Sequence, residues 1–158
     1  MTDFAGGFFF WETAIYGIFK AGNRDGHHQK TLSFPDHGEK SEVEAWLVLA
    51  REAHEQEDYE TSFRYYEQAA KAGSAEGQFM TAASYYYGMG TEQSYEKAAE
   101  YYQLSADQND PDGLECLGYL YLEGLGVEQS RDRATELYRL AAALGSEEAQ
   151  QQLAILGD

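Results

Sequence analysis

Residues 110–127 read Asp-Pro-Asp-Gly-Leu-Glu-Cys-Leu-Gly-Tyr-Leu-Tyr-Leu-Glu-Gly-Leu-Gly-Val, and the run continues to Ala141-Ala-Ala-Leu-Gly145. Asp110 has the chemistry of an N-cap, and Pro111 suits the first helical position, where no amide hydrogen is needed. Leu114, Leu117, Leu120 and Tyr121 fall at helical spacing, and Gly124-Leu-Gly126 breaks the helix. Ser130 then opens a second helix with Ala134, Leu137, Tyr138, Ala141 and Ala142 as its apolar stripe. Two short helices cannot bury such faces alone, so the hairpin requires neighbours.

The neighbours are copies of itself. Stepping back 36 residues carries Tyr138 onto Tyr102 and then Tyr66, and Ala141-Ala142 onto Ser105-Ala106 and then Ala69-Ala70. Gly124 and Gly126 land on Gly88 and Gly90, and Gly145 lands on Asn109 and then Gly73. Asn tolerates a left-handed backbone, so Asn109 preserves the helix ending. Self-similarity at this period marks a helical solenoid. The expected fold is an all-α, right-handed superhelix of helix-turn-helix repeats spanning 41–73, 74–109 and 110–145, closed by a capping helix in 146–158. Ser41-Glu-Val-Glu44 reads as a capping box, with a first helix over about 42–54.

Across 158 residues there are 28 acids and 11 Lys or Arg, a net charge of −17. Residues 41–158 hold 23 of the acids and seven of the bases, so the charge belongs to the repeats. Such a surface disfavours nucleic acid and anionic membrane and favours a basic partner. The lone Cys116, between Leu114 and Leu117, reads as a packing residue and fits a reducing, cytoplasmic setting.

Residues 1–40 differ in kind. Phe8-Phe-Phe-Trp11 and Ile15-Tyr-Gly-Ile-Phe19 make an apolar opening without a basic flank, interrupted by Glu12 and short for a membrane span. Packing on the first repeat is one role for it, since solenoid ends need covering; docking on a partner through Phe8, Phe9, Phe10 and Trp11 is another. Gly22–Lys40 is polar and reads as a linker. His27, His28 and His37 match no zinc-ligand spacing, so no metal or cofactor is expected.

Trp46, Ala50, Ala53, Ser62, Tyr66 and Ala69 make the first unit similar to a tetratricopeptide repeat. The later two, with Leu117-Gly-Tyr-Leu-Tyr121, Gly124-Leu-Gly-Val127 and Leu140-Ala-Ala-Ala-Leu-Gly145, resemble the related Sel-one-like repeat family over about 41–158. Ala82 at the place of Gly118, and Thr91 at that of Val127, are departures. The resemblance implies a non-catalytic adaptor whose first helices line a concave face. On this chain that face comprises Glu44, Leu47, Arg51, His54, Glu76, Phe79, Tyr86, Tyr87, Asp112, Glu115, Tyr119 and Glu123, with Glu148 and Gln151 from the cap. Residue chemistry agrees that no enzyme is indicated: no nucleophile stands in a diagnostic motif, and Gly124-x-Gly126 follows no strand as a phosphate loop would. Carboxylates mixed with tyrosines suit a protein or peptide carrying Lys or Arg. The expected function is protein binding to a basic partner, in a sharper form inhibition of a toxin or effector as an immunity protein. The alternative is an adaptor docked through the apolar opening, and a more remote one is an enzyme working in the tyrosine-lined groove. Tyr66, Tyr85, Tyr102, Tyr121 and Tyr138 are assigned to the core.

Overall fold

A computed structural model describes residues 38–157, and within them the backbone forms seven α-helices. They are α1 (Gly38–Glu55), α2 (Tyr59–Lys71), α3 (Ala75–Tyr87), α4 (Tyr95–Asp107), α5 (Pro111–Glu123), α6 (Arg131–Ala143) and α7 (Glu147–Leu156). Each packs on the next in the chain, so α1/α2, α3/α4 and α5/α6 are hairpins and α7 follows as a half-unit. The architecture is the all-α repeat solenoid expected. The apolar opening, including Phe8, Phe9, Phe10 and Trp11, lies outside the described residues, as do His27, His28 and His37.

The helix starts follow from side-chain capping. Asp58, Ser74, Ser94, Ser130 and Ser146 each accept a bond from the backbone N–H three residues on, at 3.0–3.2 Å. Each such cap is worth about 1 kcal/mol. Two expectations fail here. Helix α1 begins at Gly38, so Ser41 lies inside it rather than at its cap, and Gly38–Lys40 are helical rather than linker. Asp110 occupies the cap position of α5 but makes no capping bond. Its carboxylate instead accepts from the Ser105 hydroxyl of α4.

The core runs where the helices of a pair and of successive pairs meet. Ala50, Ala69, Ala82, Ala83, Ala98, Ala134 and Ala141 are fully buried, and this small-residue contact lets the helices approach closely. Tyr66, Tyr102 and Tyr138, one per second helix, are 1–3% exposed. Tyr85 is buried as assigned, whereas Tyr121 is only half-buried because it sits at the helix end beneath Arg133. Cys116 is buried and bonded by the Tyr102 hydroxyl, in keeping with a packing role.

Two glycines set how one pair sits on the next. A Cβ on Gly90 would fall 2.0 Å from the Tyr59 carbonyl oxygen, and one on Gly126 would fall 2.2 Å from the Tyr95 carbonyl carbon. Both residues have positive φ, +72° and +68°. The loops of the α3/α4 and α5/α6 hairpins thus rest directly on the backbone that begins the preceding second helix, and no side chain fits between them. The contact recurs at 36 residues and holds the helix pairs in register.

Candidate protein-binding face

The helix order divides the charge. Helices α1, α3, α5 and α7, the first helices, contain 11 acids and two bases. The second helices α2, α4 and α6 contain seven acids and six bases. The second layer is therefore nearly neutral, and the uncompensated carboxylates stand on the first.

Along that layer Arg51 of α1 grips Glu76 of α3, with Nε 2.9 Å from Oε1 and Nη2 2.6 and 2.7 Å from Oε1 and Oε2. Glu44 is exposed nearby on α1, and His54, at its end, packs edge-on to Tyr59 at 5.2 Å. Burial lowers the His54 pKa, with Glu55 opposing. Leu47 and Phe79 differ from their assignment to an open face: they are 8% and 6% exposed and belong to the core, Phe79 against Tyr102.

Further along is an aromatic cluster. Tyr86 meets Tyr87 and Tyr95 edge-on at 4.8 and 5.3 Å, and its hydroxyl bonds that of Tyr119 on α5. Burial, then the neighbouring phenols Tyr119, Tyr87 and Tyr95, drive the Tyr86 pKa up, so it stays a neutral donor. The pair joins two units across the face.

Beyond it lie the carboxylates of α5 and α7. Glu115 is 5% exposed, another departure from an open position, and its Oε1 accepts from the Ser146 hydroxyl, which also caps α7. Burial pushes its pKa to about 7; the Ser146 bond opposes this, and Asp112, Glu148 and Asp110 add to it. Asp112 is raised too, by burial and then by Asp110 and Glu148. Glu123, Glu148 and Gln151 are exposed. Among the described residues no three His, Cys, Asp or Glu side chains are arranged to hold a metal ion, and no helix is long and apolar enough to cross a membrane.

Motif reading missed two features. One is the Ser146–Glu115 bond, whose only sequence signal is that Glu115 precedes the buried Cys116-Leu117-Gly118 run. The other is a repeated cation–ring contact: Lys97 lies 5.1 Å from the Tyr85 ring centre, and Arg133 lies 6.0 Å from that of Tyr121, again 36 residues on. Both cations belong to second helices, which removes them from the acidic layer.

The Sel1 repeat model matches residues 53–74, 75–110 and 117–146, more than half of the chain. The chain belongs to the Sel1 repeat family. Sel1 repeat proteins are generally protein–protein interaction modules and typically non-enzymatic. Among solved structures it is similar to c5321, a protective antigen of uropathogenic Escherichia coli strains displaying an SLR fold, at TM-score 0.71 and 31% identity over 72% of this chain. A Sel1 repeat protein from Oxalobacter formigenes gives 0.67 and 27% over 72%. Helicobacter pylori cysteine rich protein B gives 0.57 and 25% over 75% of this chain and 100% of its own. The chain spans only 25% of the E. coli protein and 34% of the O. formigenes one. A comparison with curated proteins finds no match.

Proposed function

We propose that this Sel1 repeat chain is a non-catalytic module that binds a basic protein or peptide segment along its first-helix layer. The charge division between layers carries the reading: 11 acids against two bases on the first helices, with seven against six on the second. Like charges crowded on one layer repel, and a cationic segment lying across them removes that repulsion while its on-rate gains from steering. Tyr86, Tyr87 and Tyr119 supply aromatic surface for the aliphatic stems of Lys or Arg. Glu44, Asp112, Glu123 and Glu148 supply the carboxylates, while buried Leu47 and Phe79 support the face from beneath.

A toxin or effector with a basic active site is the sharper form of such a partner, since covering that site is enough to silence it. Fluorescence polarisation with 12-residue peptides of equal length, basic and acidic, tests the general reading. It predicts binding of the basic peptide alone, weakening as salt rises; equal binding of both would contradict it. Co-expression with the product of the neighbouring gene tests the inhibitor form, which predicts a salt-sensitive complex that abolishes the partner's activity. A complex that leaves the partner active points to a scaffold.

A further inference from the structure

Glu115 is the single charged side chain among the described residues that the fold buries, at 5% exposure. A buried carboxylate needs a cation or several hydrogen-bond donors to stay ionised. Glu115 has the Ser146 hydroxyl, which donates to its Oε1. Ser146 is also the N-cap of α7, accepting from the Ala149 N–H. One hydroxyl thus ties the buried acid to the start of the terminal helix.

The groups that bear on Glu115 are Asp110, Asp112 and the Cys116 thiol on the α5 side, Glu148 from α7 and the Tyr138 phenol from α6. None is a cation. The Tyr138 hydroxyl, like that of Tyr66, makes no hydrogen bond, so it gives the carboxyl no second donor. The positive end of α7 amounts to roughly half a unit charge, and Glu147 and Glu148 in its first turn already draw on it. A proton on Glu115 removes the conflict, because the neutral carboxyl still accepts from Ser146 through one oxygen. Burial accordingly pushes its pKa to about 7 from an ordinary 4.5.

Helix α7 is also the least held part of the solenoid. Of its ten residues only Ala149 is buried, against nine residues in α3 and seven in α5. Two end ties add to its packing on α6: Ser146 on Glu115, and Arg131 donating to the Leu156 carbonyl. A segment with so little buried surface opens locally, without unfolding its neighbours.

We propose that Glu115 and Ser146 form a pH-sensitive latch on the terminal half-repeat: the protonated carboxyl holds α7 in place, and its ionisation lets α7 lift so that water reaches the carboxylate. Docked α7 favours the protonated form, so docking is strongest below pH 4.5, weakens as pH rises through 7, and is level above it. Glu148 and Gln151 lie on α7, so the C-terminal end of the acidic layer is firm on the acid side and loosened on the alkaline side. The latch stands whether or not that layer binds a basic partner.

Amide hydrogen exchange of the full chain at about pH 5.5 and about pH 8, each rate divided by its intrinsic value at that pH, tests the latch. Protection over residues 150–156 should fall about ten-fold or more between the two, while α3 and α4 keep theirs. In Glu115→Gln, α7 should stay protected at both. Unchanged α7 protection in the parent, a fall shared equally by α3 and α4, or the same fall in Glu115→Gln would each overturn the latch. A carboxyl NMR titration of the parent reads the same group without any substitution. A Glu115 transition near 7 that coincides with the loss of α7 protection supports the latch, and one near 4.5 overturns it.

Discussion

The two ends of the first-helix layer are built on one plan and finished differently. At α1–α3 the plan is closed by Arg51, which neutralises Glu76 within the chain. At α5–α7 Glu123 stands in the arginine's place, and Ser146 holds Glu115 with a neutral hydroxyl that cancels none of the charge. A repeat protein can therefore keep its geometry while changing the electrostatic sign of one junction by a single residue. The N-terminal junction carries an ion pair within the chain, and the C-terminal one places Glu123 and Glu148, both exposed, where that pair would stand.

The comparison depends first on the junctions sharing one register. Gly126→Ala places a methyl 2.2 Å from the Tyr95 backbone at positive φ, and should cost about 3 kcal/mol or more through overpacking and strain. That contact sets the α3–α5 step between the two junctions, and Gly90→Ala should cost as much at the α1–α3 junction itself, where its loop meets Tyr59. Denaturant melts check this; a tolerated alanine at either place means that the loops do not set the spacing.

The next effect separates the junctions by pH. Glu115 titrates at about 7 in the folded chain against 4.5 for a free carboxyl, so the fold favours its protonated form. Its stabilising contribution is present in full below 4.5 and is lost as pH rises through 7. Glu115→Gln, which can still accept from Ser146, should leave stability unchanged near pH 4 and raise it by roughly 1–2 kcal/mol at pH 8, allowing for partial solvent screening. Equal stability at pH 8 means the buried carboxylate is already compensated.

Arg51→Ala should destabilise by about 1 kcal/mol, since both partners remain partly exposed, and the loss should shrink in high salt. Smallest of all, Tyr66→Phe and Tyr138→Phe should each lie within about 0.5 kcal/mol of the parent or above it, because neither hydroxyl has a bond to lose. A loss of more than about 1 kcal/mol in Tyr138→Phe shows a hidden partner for that hydroxyl.

The solenoid was legible because its signals are local and repeated. Serine caps, paired glycines and a tyrosine every 36 residues act within a few residues of themselves, and Asn109 takes a positive φ, +58°, as its counterparts Gly73 and Gly145 do at +91° and +97°. What was illegible depends on a contact with another helix. Asp110 has the chemistry of a cap, but Ser105 replaces the alanine found at 69 and 141, and its hydroxyl claims the carboxylate. Glu57 adopts a positive φ of +59° that no composition rule assigns to glutamate. The resemblance put Leu47, Phe79 and Glu115 on the face, yet Leu47 is buried on α1, and α3 and α5, which carry the other two, are buried almost all round because a second helix flanks each side. A family resemblance locates a face; only packing shows how much of it reaches water.

Under the proposed function, binding follows the layer and not the overall charge. Glu44→Lys with Glu123→Lys, and Glu60→Lys with Glu100→Lys, alter the net charge equally, and all four residues are exposed. Affinity for one arginine-rich peptide should be measured for both variants at low salt. A loss of at least about ten-fold is expected for the first-helix pair and little change for the second-helix pair. Equal losses from the two pairs would contradict it.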